Sequence, residues 1–197
     1  MTILRTLDGP VEVALPPIKG SRFSGRACRV HTAGEARAFA AAVRRDHPKA
    51  THVAAAWRIA DDDHGWDDDG EVAGTAGRPM LDRLVGQGLV QTVLVVVRYY
   101  GGTKLGKGGL VRAYGGTATA LVDAATIAEE VVRAHLRFTC SHALVGPLRG
   151  IVQAHNGELV DTDWGAEVRL TALVPTDDLA GCRAALVERS AGRVHLD

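Results

Sequence analysis

A chain of 197 residues is long enough to bury a core and falls between one large domain and two small ones. With 46% hydrophobic and 23% charged residues it has the composition of a globular protein and not of a disordered one, and no apolar run reaches the roughly 18 to 20 residues of a membrane-spanning helix. Its 23 basic and 23 acidic residues cancel, which excludes a surface coated uniformly with positive charge but not a local basic patch. Residues 1–8 lack the basic and apolar regions of a secretory signal, so a cytoplasmic location is expected. The three isolated cysteines, Cys28, Cys140 and Cys182, suggest neither a disulfide framework nor a zinc site and are read as reduced core thiols.

From the N-terminus, Ile3 to Leu7 and Val11 to Leu15 alternate apolar and polar residues around the turn signal Asp8, Gly9, Pro10, which predicts a pair of strands. Ser21 to Val30 reads as another strand. Thr32 and Glu35 have the spacing of a capping box, opening a helix to about Asp46 whose Ala36, Phe39, Ala40 and Val43 share one face; Pro48 stops it. Thr51 to Ile59 is a strand. Residues 61–71 carry seven carboxylates and read as a loop; Pro79 to Val85 begins a helix ended by Gly86 and Gly88. The apolar run Val93 to Val97 fits a strand buried on both faces. Gly101 to Gly109 holds five glycines and is expected to be a loop, with helical spacing from Leu110 to Ala125. Gly115 and Gly116 lie inside that helix at a cost of about 1 kcal/mol each relative to Ala, so close packing against a neighbouring backbone is the expected compensation.

After Ala128 the pattern becomes strand 131–141, helix 144–155, strand 158–163, strand 166–174, helix 177–190 and strand 193–196, with Thr176 as the expected N-cap of the second helix. This β-α-β-β-α-β order is the ferredoxin-like arrangement. The expectation is an α+β protein of two domains, 1–130 and 131–197.

Chemistry concentrates in two segments. Between Arg83 and Val122 there are five basic residues and no acid. Within this stretch Gly101, Gly106 and Lys107 match a phosphate-binding P-loop up to its last position, where Gly108 replaces the hydroxyl that would hold magnesium; no later strand ends in a Walker-B acid. A nucleotide triphosphatase is thereby disfavoured. Exposed glycine amides beside a helix N-terminus, with Lys104 and Lys107, still make an anion site, and Tyr99 and Tyr100 offer faces for a base to stack on. A tight turn with solvated lysines is the other reading of the same residues. In the acidic segment an EF-hand is out of register, because Gly70 at its sixth position puts Gly65 first and Ala76 last. Asp68, Asp69 and Glu71 remain able to hold magnesium, to pair with the basic loop, or to be a solvated run. Gly74 to Pro79 is a second glycine-bearing loop whose amides could meet the same ligand. His47, His52 and His64 have no metal or triad spacing and are read as structural; Trp57 is expected to pack and Trp66 to be exposed.

Taken together, Thr51-His52, then Asp68-Asp69-Gly70-Glu71, Gly74-Thr75-Ala76-Gly77-Arg78-Pro79, and Arg98-Tyr99, Gly101-Gly102, Lys104-Leu105-Gly106, Gly108-Gly109-Leu110, Arg112-Ala113-Tyr114 resemble the YigZ/IMPACT family, over about Lys19 to Ala125. The resemblance implies an N-terminal domain with the left-handed βαβ fold of elongation factor G domain IV and a C-terminal domain like that factor's domain V. It also implies a link to translation, since eukaryotic IMPACT proteins restrain a starvation-responsive translation-factor kinase through its activator. The chain has the two-domain bacterial layout, so the kinase role is not carried over. It departs from the family pattern at Val72-Ala73, usually Pro-Ser, at Val97, usually Thr, and at Ala54 to Ala56, usually more polar and aromatic.

The expected function is a translation-associated binding protein, non-catalytic or weakly catalytic, that contacts RNA, the ribosome or a translation-linked partner. Arg78, Arg98, Lys104, Lys107 and Arg112 meet phosphates, Tyr99 stacks or packs, and Gly101, Gly102, Gly108, Gly109 and Tyr114 complete the surface. No cofactor is required. The alternatives are a magnesium-dependent enzyme on a small phosphorylated compound, with Asp68, Asp69 and Glu71 at the metal, and a protein-interaction module presenting the ferredoxin-like sheet.

Overall fold

The computed structural model describes residues 1–197. Packing divides them into a unit of Arg5–Glu129 and a unit of Glu130–Asp197 with Met1–Leu4.

The larger unit contains β1 (Ile3–Leu7, which begins in the other unit), β2 (Val11–Ala14), β3 (Arg22–Arg29), α1 (Ala33–Asp46), β4 (His52–Arg58), β5 (His64–Asp67), α2 (Gly77–Gly86), β6 (Thr92–Tyr99) and α3 (Lys107–Ala124), followed by β7 (Ile127–Val131). Five strands form one antiparallel sheet in the order β2-β3-β6-β4-β5. Its alternating side chains feed two cores. Val93, Val95 and Val97 join Val53, Ala55 and Trp57 under α1, meeting Ala36 and Val43; Leu94 and Val96 join Phe23, Ala54 and Ala56 under α2 and α3, meeting Met80, Tyr114 and Leu121. The central strand β6 is thus buried on both faces, as its apolar run predicts. At the start of α1, Thr32 Oγ1 accepts the Glu35 N–H at 3.1 Å, and Glu35 Oε2 accepts the His31 N–H at 2.8 Å, one residue earlier than in the usual reciprocal box.

Four expectations for this unit are corrected. The stretches β1 and β2 are strands but not each other's partners: β1 pairs with β7 and β2 with β3, while Asp8 N–H donates to the Thr126 carbonyl. Alternation identifies a strand, but the partner is set by where Thr6 and Leu7, both fully buried, find cover. The acidic run is not all loop, since His64–Asp67 pairs with the edge of β4 from Arg58↔His64 to Ala55↔Asp67. A Cβ at Gly65 would stand 2.6 Å from the Trp57 ring, so glycine is what lets this edge strand cross the indole. Helix α3 begins at Lys107, three residues early, and takes in Gly108 and Gly109. Finally, Gly115 and Gly116 are not in close packing: a Cβ at 115 would make an ordinary contact with Pro79, and one at 116 would meet open space.

The smaller unit contains β8 (Arg133–Cys140), a 3-10 turn (His142–Leu144), α4 (Val145–Ala154), β9 (Glu158–Trp164), β10 (Val168–Pro175), α5 (Leu179–Arg189) and β11 (His195–Leu196). Its antiparallel sheet runs β11-β8-β10-β9, and Leu136, Phe138, Leu170 and Ala172 pack against Leu148, Val152, Cys182 and Leu186 of the two helices. This is a ferredoxin-like α+β unit. Thr176 is not the N-cap of α5; its hydroxyl donates to the Val132 carbonyl at 3.3 Å, and Asp178 occupies the cap position. Cys140 and Cys182 are buried and Cys28 is half-buried, all as free thiols. No helix is long and apolar enough to cross a membrane.

Candidate functional site

The acidic segment and the glycine- and lysine-bearing loop, separated in sequence by helix α2 and strand β6, meet in the larger unit. His52 lies opposite Arg98 in the β4–β6 ladder, so both side chains leave the same sheet face. Arg98 donates from Nη1 to Glu71 Oε1 at 2.6 Å, with the two side chains 6% and 5% exposed. Tyr114 Oη donates to the same oxygen at 2.8 Å. Burial, and then the Glu71 carboxylate, push the Tyr114 hydroxyl well above its ordinary value, so it stays a neutral donor. The Arg98 guanidinium also lies 5.7 Å from the Phe23 ring centroid and 5.5 Å from that of Tyr100, while its Nε has no partner. His52 Nδ1 faces the Asp69 carbonyl at 2.8 Å, which makes it the protonated nitrogen and turns Nε2 toward Glu71 Oε1, 3.8 Å away.

Above this polar floor lies a pocket of about 550 Å³. Val72, Tyr100, Leu105 and Leu110 form its apolar sides, and Lys104 and Lys107 stand exposed at its mouth. The pocket shape rests on glycine at two places. A Cβ on Gly101 would fall 1.9 Å from the Gly20 carbonyl carbon, so the chain leaving β6 crosses residues 20–21 only because no side chain is there; its N–H donates to Ser21 Oγ at 3.2 Å. Gly106, at φ +72°, turns the loop into α3 and leaves the first turn without a side-chain cap.

The acids predicted to act together are divided among separate tasks. Asp68 accepts N–H groups from Gly74 (2.7 Å), Ala76 (3.1 Å) and Gly77 (2.8 Å), which caps α2 from outside and takes up the amides expected to face a ligand. Asp69 pairs with Arg44 and accepts the Val53 N–H at 2.6 Å. Glu71 serves the pocket floor. No group of three or more His, Cys, Asp or Glu is arranged to hold a metal, so the magnesium reading lacks a converging donor set.

Of the expected ligand-facing residues, Lys104 and Lys107 reach the pocket mouth. Arg98 lines the floor but is buried and paired, and Tyr114 is fully buried beneath it. Tyr99 leaves the opposite sheet face, where its hydroxyl meets His47 Nδ1 at 2.9 Å and Arg22 stacks 5.0 Å from its ring. Arg78 pairs with Asp82 at 2.8 Å and lies over the ring of Trp66, itself exposed, away from the pocket. Arg112 and Gly108 are exposed along α3, Gly109 packs on Leu105, and Gly102 adopts φ +86° at an open turn. The residues missed are Thr51, His52, Val72, Leu105 and Leu110, while Tyr100, expected to offer a stacking face, does line the pocket. Period-two alternation along β6 would have sent Tyr99 away from Arg98, and Tyr100 to its side.

The chain is thus a two-unit α+β protein with a ferredoxin-like second unit and, in the first, a buried Glu–Arg–Tyr floor under a lysine-rimmed pocket. The family model of the Impact N-terminal domain matches residues 19–122, and a domain of unknown function (DUF1949) matches 138–193; the chain belongs to the IMPACT family. It is 37% identical over 191 residues to the IMPACT family member YigZ of Escherichia coli (strain K12), covering 95% of this chain and 93% of that protein. It is likewise 37% identical over 181 residues to the Thermus thermophilus IMPACT family member in the pol 5′ region, covering 91% and 99% of the two chains. A crystal structure of a hypothetical protein superposes with a TM-score of 0.72 at 35% identity, covering 100% of this chain and 97% of the other.

Proposed function

We propose that this chain is a cytoplasmic, translation-associated protein that binds single-stranded RNA, free or within the ribosome, at the pocket between Glu71 and the Lys104–Lys107 loop. The observation that carries this reading is that two exposed lysines share one pocket with aromatic and apolar walls. Phosphates take the lysines, and an unstacked base takes the Tyr100 side of the pocket. Arg112, on the exposed side of α3 one turn beyond Gly108, continues the basic track. Glu71, Arg98 and Tyr114 hold the floor rigid and neutral. Part of the same proposal is that the two units are counterparts of domains IV and V of elongation factor G, with a left-handed βαβ crossover in the first.

The test is filter binding of short single-stranded RNA across a salt series, wild type against Lys104→Ala/Lys107→Ala. Affinity falls with salt, and the double variant flattens the log–log slope by about 1.4, from about 0.7 per phosphate contact. No RNA retention at low salt would end this reading.

A further inference from the structure

The pocket floor carries acceptors that phosphate binding leaves unused. Glu71 receives Arg98 and Tyr114 on Oε1, and Oε2 has no hydrogen-bond partner within the chain although the side chain is only 5% exposed. Beside it, His52 donates from Nδ1 to the Asp69 carbonyl, which in the imidazole form leaves Nε2, 3.8 Å from Oε1, as the acceptor. Two acceptors therefore stand together at the inner end of a cavity of about 550 Å³, a size that suits a small planar ligand. Oε2 is not fully enclosed, so it is open to a donor that enters the pocket.

Resting on the RNA-binding reading above, we infer that this pocket takes one unstacked guanine, its N1–H and N2 amino group donating to Glu71 Oε2 and His52 Nε2, with its backbone phosphates at Lys104 and Lys107. Guanine alone among the four bases presents two adjacent donors on its Watson–Crick edge. Adenine and cytosine place a ring acceptor beside their amino group. Uracil flanks its single N–H with two carbonyls, which would face the carboxylate. Discrimination of this kind comes from leaving buried polar groups unpaired when the wrong base enters.

The experiment is fluorescence anisotropy with a short U-rich RNA carrying one central G, A, C or U, on wild type, His52→Ala and Glu71→Gln, with circular dichroism confirming that each variant is folded. Wild type binds the G-containing RNA about ten-fold more tightly than all-U RNA, the order expected for a bidentate base contact. His52→Ala, which leaves the Glu71–Arg98 pair in place, brings that ratio down to about two or three while the salt dependence persists. If all four RNAs bind equally and the salt slope still depends on Lys104 and Lys107, guanine recognition is wrong and RNA binding stands. If none binds at low salt, both fail. If His52→Ala keeps the full preference, the floor does not read the base and the inference is overturned; Glu71→Gln adds a second reading of the same point where it folds.

Discussion

Arg98 Nη1 lies 2.6 Å from Glu71 Oε1, and the two side chains, 27 residues apart in the chain, are only 6% and 5% exposed. The cation just ahead of the glycine-rich loop is neutralised from beneath by the last acid of the acidic segment. Glu71 thereby decides which of the basic residues are available at the surface, and leaves Lys104, Lys107 and Arg112 for that role.

Removing one partner of this pair is expected to be severe. Glu71→Ala strands the Arg98 guanidinium and the Tyr114 hydroxyl, at a cost of about 3 to 5 kcal/mol. The double variant Glu71→Leu/Arg98→Met recovers a large share of that loss, because no charge remains buried. Urea denaturation measures both; a Glu71→Ala change below about 1 kcal/mol would show that the pair is not buried as described.

Two glycines separate steric need from mere tolerance. Gly101→Ala forces its methyl into the backbone of Gly20 and is expected to abolish or gravely weaken folding. Gly116→Ala, inside α3 with nothing within 4 Å of the new methyl, is expected to stabilise by about 0.5 to 1 kcal/mol. Thermal melts of the two should move in opposite directions.

Asp68→Ala deletes the acceptor of three backbone N–H groups ahead of and at the start of α2. The expected loss is about 2 kcal/mol, since hydrogen bonds to a charged acceptor outweigh neutral ones. Hydrogen exchange should quicken first at Gly74, Ala76 and Gly77, and unchanged protection there would contradict the capping role.

Burial, reinforced by Glu35, pushes the Cys28 thiol up to about 11. Because the folded state favours the protonated thiol, this group's contribution to stability is complete below the unfolded value near 9 and is lost as pH rises through about 11. At pH 8 iodoacetamide should modify the Cys28 peptide about 100-fold more slowly than a free thiol of ordinary value, with the rate climbing toward pH 11. A rate equal to that of a small thiol would refute the shift.

How much of this was legible in the chain depends on the range of the interaction. Local signals found the α1 cap at Thr32 and Glu35, the doubly buried strand β6 and the β-α-β-β-α-β order of the smaller unit. Signals that need a partner failed. The strand at His64–Asp67 is hidden by the acids that flank and end it, whose poor strand propensity is overridden by the open edge of β4 and the space Gly65 leaves over Trp57.

The sequence by itself determined that a basic, glycine-rich segment free of acids precedes a helix, and that an acidic segment precedes another, because composition and spacing are properties of neighbours along the chain. Only the tertiary structure decided that Glu71 sits under Arg98, that Asp68 consumes the amides of the 74–77 loop, and that Lys104 and Lys107 share one pocket with Glu71. Those outcomes follow from which face of β6 each residue takes and from the antiparallel register that sets His52 opposite Arg98, and a pairing between distant strands leaves no mark in either strand alone.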